Sequence, residues 1–159
     1  MSDIVITSDS TCDLGEELVS RYGIEIMPLS VILGGQTYKD GIDIVPADIF
    51  RYFDETGQLP KTAAPSVEEY ENFFSRFVEE GKTVIHFNIS SRASGSNGFA
   101  VTAAKKFGEK VYVVDSYALS TGQGLLVLKA CDLRDSGQSP REIYDAVMEL
   151  RGKVNTSFV

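Results

Sequence analysis

The chemistry-bearing residues of this sequence are small hydroxyls gathered in a few short segments. Asp9-Ser10-Thr11 follows an apolar run, Ile4-Val5-Ile6-Thr7. Thr62 and Ser66 bracket a stretch rich in alanine and proline. Ser90-Ser91-Arg92-Ala93-Ser94-Gly95-Ser96 follows Thr83 to Asn88, and Asp115-Ser116 follows Val111 to Val114. Hydroxyls and free backbone N–H groups at helix starts can bind an oxyanion without a buried cation. A serine or threonine before a helix is ordinarily a cap, and Ser66 and Ser139 are read that way. Thr62 occupies no recognisable cap position. Ser94 precedes Gly95, where a backbone without a Cβ can approach a ligand closely. Asp9 and Asp115 each end a strand and precede hydroxyls. They can act as an acid–base pair or order their loops by accepting backbone N–H bonds. The second reading is preferred, because two unpaired carboxylates would repel an anionic ligand.

Other chemistries have thinner support. Gly95-Ser96-Asn97-Gly98 and Gly122-Gln123-Gly124 match neither the dinucleotide fingerprint nor a Walker loop. His86 is the only histidine. It lies inside a strand, so a structural role is expected. A serine hydrolase or phosphotransferase would have to use it, and no GxSxG elbow occurs. Dispersed carboxylates and one histidine make a poor metal site. Cys12 lies near a helix start, which can lower a thiol pKa, but no base stands beside it in sequence.

These segments need elements to hold them. Asp13 with Glu16 reads as a capping box opening a helix through Tyr22, closed by Gly23. Ile24 to Leu33 reads as extended and interrupted at Pro28, and Gly34-Gly35 as a hairpin turn into Gln36 to Lys39. Pro46 suits the first turn of a helix with Ile49, Phe50 and Phe53 on its apolar face. Leu59 to Pro65 reads as neither helix nor strand. Ser66 and Glu69 then cap a helix whose inward stripe is Tyr70, Phe73, Phe74 and Phe77. A helix holding Ala100, Val101, Ala104 and Phe107 follows the serine-rich loop. Gly122 to Arg134 is an apolar helix. Ser139-Pro140-Arg141-Glu142 starts another, with Ile143, Val147 and Leu150 inward. Val154 to Val159 reads as the start of a strand. Strands and helices alternate, so the expected class is α/β: a three-layer α/β/α domain with a mainly parallel sheet and a β-hairpin insertion near Gly34. Ligands of such sheets bind beyond the carboxyl ends of the strands, where the hydroxyl loops lie.

Composition narrows the function classes. The chain has 159 residues, 43% hydrophobic and 24% charged, which excludes disorder and suffices for a core. Lys plus Arg is 15 against 23 for Asp plus Glu, a formal charge of -8. No basic patch exists to displace counterions from nucleic acid or to meet anionic membranes. No stretch approaches transmembrane length. Cys12 and Cys131 form no disulfide framework, which fits a reduced, cytoplasmic setting. Some of the nine phenylalanines can line an apolar cavity beside the hydroxyl edge, suiting an amphiphile with a small acidic head.

The hydroxyl segments resemble those of the DegV family of bacterial fatty-acid-binding proteins. Asp9-Ser10-Thr11-Cys12-Asp13-Leu14 resembles the family's D-S-T-x-D-L, and Lys61-Thr62-Ala63-Ala64-Pro65-Ser66 its T-S-x-P-S loop. Ile89-Ser90-Ser91-Arg92-Ala93-Ser94-Gly95-Ser96 resembles I-S-S-x-L-S-G-T. Pro28-Leu29, Tyr38-Lys39-Asp40-Gly41, Asp115-Ser116, Gly122-Gln123-Gly124 and Val154-Asn155-Thr156-Ser157-Phe158-Val159 extend the likeness along the chain. The resemblance implies binding of one long-chain fatty acid and no cofactor. It places the carboxylate on Thr62 and Ser94, with a backbone N–H near Gly95 as third donor and Ser96, Ser10 and Ser116 around them. It implies no catalysis by the chain itself, a monomer, and in some members delivery of the bound acid to a separate ATP-dependent fatty acid kinase. Residues 1–159 resemble the N-terminal lipid-binding domain alone; a second domain, which in the family closes over the lipid, is not recognised. Ala63 and Ala64 depart from the family's serine and frequent glutamine, Ser96 replaces a threonine, and Asn97 stands where tyrosine is common. A hydrolase or phosphotransferase using the serine-rich loop, or an interaction domain without lipid, are the alternative readings.

Overall fold

A computed structural model describes residues 3–157. Four strands form a parallel sheet: β1 (Ile4–Asp9), β2 (Glu25–Met27), β6 (Thr83–Asn88) and β7 (Val111–Asp115), in the order β2-β1-β6-β7. Central strands of a parallel sheet are covered on both faces and read as continuous apolar runs. All six residues of β6 are buried accordingly. Successive side chains face opposite layers. Ile6, Ile85 and Val114 join Leu126, Val127, Ala130, Cys131, Ile143 and Val147 in one core. This core lies under α1 (Glu16–Tyr22), α5 (Thr121–Asp135) and α6 (Pro140–Leu150). Val5, Val84 and Val111 face the other way, onto Tyr70, Phe73, Phe74 and Phe77 of α3 (Val67–Val78) and Ala100 and Ala103 of α4 (Ser96–Ala104). The domain is the expected α/β/α sandwich.

A smaller antiparallel sheet stands beside it. Strands β3 (Ser30–Leu33), β4 (Gln36–Lys39) and β5 (Lys61–Ala63) run in the order β4-β3-β5. Gly34 and Gly35 join β3 to β4 with φ of 55° and 86°. Two positive φ values in a two-residue loop suit the twist of a hairpin, and glycine takes them without strain. The helix α2 (Pro46–Thr56) lies against this sheet. Lys39 Nζ ties the small sheet to α3 through Glu69 Oε1 at 2.7 Å.

Several local expectations need correction. Thr62 lies on a strand, since Lys61–Ala63 pairs with Ser30–Ile32. The α1 helix starts at Glu16 with Gly15 as its cap; Asp13 sits in left-handed backbone at φ 50° and does not cap α1. An aspartate there tolerates αL and closes the short 3-10 turn Ser10–Cys12. On α2 the packed side chains are Ile49 and Tyr52, against Val31, Leu33 and Ile44. Phe50 and Phe53 are exposed. Residues 154–157 are not a strand, and Phe158 and Val159 lie outside the described residues. The caps at Ser66 and Ser139 form as read, each reciprocated by Glu69 or Glu142.

Candidate functional site

Sheet register sets up the hydroxyl-rich edge. Ser8 pairs with Phe87 and Asn88 with Asp115, so Asp9, Asn88 and Asp115 end three adjacent strands side by side. The Ser10–Cys12 turn, the loop of residues 89–95 and the loop of residues 116–120 leave from that row.

Asp9 is fully buried. Thr11 Oγ1 reaches Asp9 Oδ1 at 2.5 Å and Gln123 Nε2 donates to it at 2.6 Å. Oδ2 accepts from the Ile89 backbone N–H at 2.9 Å and from Asn88 Nδ2 at 3.3 Å. No ion pair reaches it among the described residues. Burial disfavours the charged form, and this outweighs the donors, so the carboxyl titrates above its ordinary range. Asp115 accepts the N–H groups of Ser91 and Tyr117 at 3.1 and 3.2 Å. Both aspartates therefore order loops, as the repulsion argument favoured.

His86 is wholly buried between Thr7 and Asn88. Its Nδ1 lies 2.8 Å from Thr7 Oγ1 and its Nε2 3.1 Å from Asn88 Nδ2. An amide nitrogen only donates, so Nε2 is the acceptor and Nδ1 carries the proton. Burial lowers the imidazole to about 3. Phe74, Tyr70 and Phe73 pack around the ring. This histidine is a neutral core group without an exposed serine beside it. Cys12 is buried too, and burial pushes its thiol up, opposite to the effect of a helix start.

The proposed ligand hydroxyls occupy different environments. Thr62 is exposed on β5, opposite Val31, and its hydroxyl makes no hydrogen bond among the described residues. Ser94 is half-buried and Gly95 exposed at the N-terminus of α4. Ser94 Oγ lies 2.9 Å from Ser96 Oγ and accepts the Ser96 N–H at 3.2 Å. Ser96 itself is buried. Gly95 has right-handed backbone, φ -72°, and an added Cβ would meet only Phe99 at 3.5 Å. Its backbone conformation does not demand glycine. Ser10 Oγ accepts the Leu29 N–H at 3.2 Å and so ties the β1 turn to the chain leaving β2. Ser116 is buried and engages Ala118 on both sides, donating to its carbonyl at 3.0 Å and accepting its N–H at 3.2 Å. Ser94, Gly95 and Ser96 thus share one loop. Ser10 and Ser116 are committed to their turns, and Thr62 comes from the smaller sheet.

The profile of the DegV family, described only as an uncharacterised protein family, matches residues 3–159. The chain belongs to the DegV family. A DegV domain-containing protein of Clostridium acetobutylicum is 37% identical over 150 residues, 94% of this chain and 54% of the relative. A DegV family protein from Thermus thermophilus, solved as a fatty acid binder, superposes with a TM-score of 0.86 at 36% identity, covering 96% of this chain and 54% of that one. A stearic-acid-binding protein from Eubacterium ventriosum gives 0.81 at 32% identity, covering 92% and 52%. The chain spans about half the length of the relatives it matches.

Within this DegV domain, the residues that sequence reasoning missed are the polar core under the edge: Gln123, Asn88 and Tyr70. Gln123 is buried at the start of α5. It donates to Ser8 Oγ at 2.9 Å and to Asp9, and its Oε1 lies 2.9 Å from Thr11 Oγ1. The signal lay in its flanking glycines. A Cβ on Gly124 would stand 2.8 Å from the Cys12 carbonyl, and one on Gly122 would run into Thr156 Cγ2. Small residues there bring α5 close enough for the glutamine to reach the carboxylate.

Proposed function

We propose that this chain binds a long-chain fatty acid at the edge where β1, β6 and β7 end. The supporting observation is the Ser94-Gly95-Ser96 turn, which presents a half-buried hydroxyl beside an exposed backbone at a helix N-terminus. The Gly95 N–H has no partner among the described residues. Such a start favours an anion. Thr62 adds an exposed, unpaired hydroxyl from the smaller sheet. In this reading Thr62, Ser94 and the Gly95 N–H hold the carboxylate, while Ser96 sets Ser94. Ser10 and Ser116 shape the loops around the head group. A carboxylate leaving water needs several short hydrogen bonds. Each methylene buried then contributes roughly 0.8 kcal/mol before ordering costs. The tail supplies affinity and the head fixes orientation.

Residues 1–159 act in this reading as the N-terminal lipid-binding domain. Delivery of the acid to a separate fatty acid kinase belongs to the same proposal, with the chemistry on the partner. Mass spectrometry of lipid released on denaturation tests the ligand. A C16 or C18 acid is expected, and its absence together with no binding in a fatty acid titration refutes the reading.

A further inference from the structure

Tyr117 carries φ of 56°, an outlier for a bulky side chain. Ser120 follows at φ 53° and ψ -132°, outside the left-handed basin that L-residues use. Such conformations persist only where the surroundings hold them, and they gather at functional sites. The turn that contains them touches both neighbouring loops of the edge. The Ser120 N–H donates to the Thr11 carbonyl at 2.8 Å, and the Ser90 N–H donates to the Ala118 carbonyl at 2.8 Å. The Ser90 carbonyl in turn accepts the Ser94 N–H at 3.2 Å. Two backbone hydrogen bonds therefore connect Ser94 to the strained turn. Arg151 grips that turn from outside. Its guanidinium carbon lies 3.9 Å from the centre of the Tyr117 ring, and Nη1 donates to the Asp115 carbonyl at 2.9 Å. No carboxylate pairs with Arg151 among the described residues, so its charge faces the ring and that carbonyl. Asp115 Oδ1 accepts the N–H groups of Tyr117 and Ser91, which joins the gripped turn to the serine-rich loop a second time.

We propose that Arg151 is a positioning residue for the head-group loop: its stack on Tyr117 holds residue 117 in left-handed backbone, which keeps the Ala118 carbonyl on Ser90 and so keeps Ser94 in place for a carboxylate. This rests on the fatty-acid reading above. Without the stack, Tyr117 returns to negative φ and the chain turns between Ser116 and Ala118. Ser90 then loses its acceptor, and the loop that carries Ser94 loosens.

The test is displacement of a fluorescent fatty acid analogue from the 159-residue chain by hexadecanoic acid. Arg151→Ala should weaken the acid about tenfold, the size of the left-handed penalty at one residue. Adding Tyr117→Gly to Arg151→Ala should restore binding, because glycine keeps a positive φ without the stack. Adding Tyr117→Ala instead removes the same ring but keeps the penalty, and should restore nothing. Unchanged affinity in Arg151→Ala, or equal affinities with glycine and alanine at position 117, overturns the proposal. Failure of the unsubstituted chain to bind hexadecanoic acid removes the fatty-acid reading instead. Amide hydrogen exchange in the free chain then decides the clamp by itself. Exchange about tenfold faster at Ser90 and Ser91 in Arg151→Ala, with the amides of β6 unchanged, supports it. Unchanged protection at both serines, or a loss spread equally over β6, overturns it.

Discussion

Acidification from pH 7 to pH 5 should cost the folded chain about 2 kcal/mol through one side chain, His86. In the unfolded chain this histidine charges at its ordinary value of 6.5; in the fold, burial holds it neutral down to about 3. Between those values the unfolded state binds more protons. Stability contributed by the neutral ring is therefore complete above pH 6.5 and is lost as pH falls toward 3, with a slope of up to about 1.4 kcal/mol per pH unit. His86 is the only histidine, so no other imidazole titrates in this window. Asp9 acts in the opposite sense. Its raised pKa gives stability that is present at low pH and lost as pH rises through the folded value. That background is common to the native chain and a His86→Gln variant, whose amide can still face Asn88 without charging. Urea unfolding of both proteins at pH 7, 6 and 5 measures the difference in slope. The variant starts less stable, but its stability should fall about 2 kcal/mol less over this range. Equal slopes, or imidazole NMR signals titrating near the ordinary value, would refute the reasoning.

Other consequences are as direct. Gly124→Ala should destabilise by about 1–3 kcal/mol despite alanine's better helix propensity, because the Cβ meets backbone at Cys12, and thermal unfolding reads this. Gly122→Ala meets a threonine side chain of the terminal segment, so it should chiefly shift backbone NMR signals of residues 154–157. Cys12 and Cys131 are buried with raised thiol pKa values, the latter to about 11, so a thiol-specific disulfide reagent should modify neither until the chain unfolds. Thr62→Ala and Ser94→Ala should each weaken fatty acid binding by about tenfold with circular dichroism unchanged, and unchanged affinity in both would remove these hydroxyls from the site.

The large elements were legible because each carries redundant signals. The α3 helix has its reciprocal cap, Ser66 with Glu69, and an apolar stripe in register with it. The Gly34-Gly35 turn places glycine at both positions of a two-residue loop that needs positive φ. Legibility failed where tertiary pairing decides. Lys61–Ala63 has no periodicity of its own and becomes a strand only because β3 offers an edge. Phe50 and Phe53 lie on a helical stripe by spacing, yet the small sheet is narrow enough that Ile49 and Tyr52 cover it. The site divides the same way. A hydroxyl in a loop is visible in sequence, but whether it stays open, as at Thr62, or is spent on its own turn, as at Ser116, is settled by the fold around it.

Gly122-Gln123-Gly124 shows how such a dependence can hide inside a familiar pattern. Judged as a nucleotide loop it fails, since no strand or lysine stands at the right spacing. Its glycines instead remove two Cβ atoms where α5 meets the Ser10–Cys12 turn and the terminal segment. That approach puts a wholly buried amide between Ser8, Asp9 and Thr11. The carboxylate so held lies 3.3 Å from Asn88 Nδ2, which also stands 3.0 Å from the Tyr70 hydroxyl. Gln123→Leu should accordingly cost more than the hydrogen bonds it deletes, because it leaves Asp9 buried with fewer donors. It should also raise the Asp9 pKa further, since a neutral acid tolerates that loss better than an anion. Carboxyl-carbon NMR of Asp9 in the native chain and the variant reads the change, and an unmoved titration would show that Gln123 is packing alone.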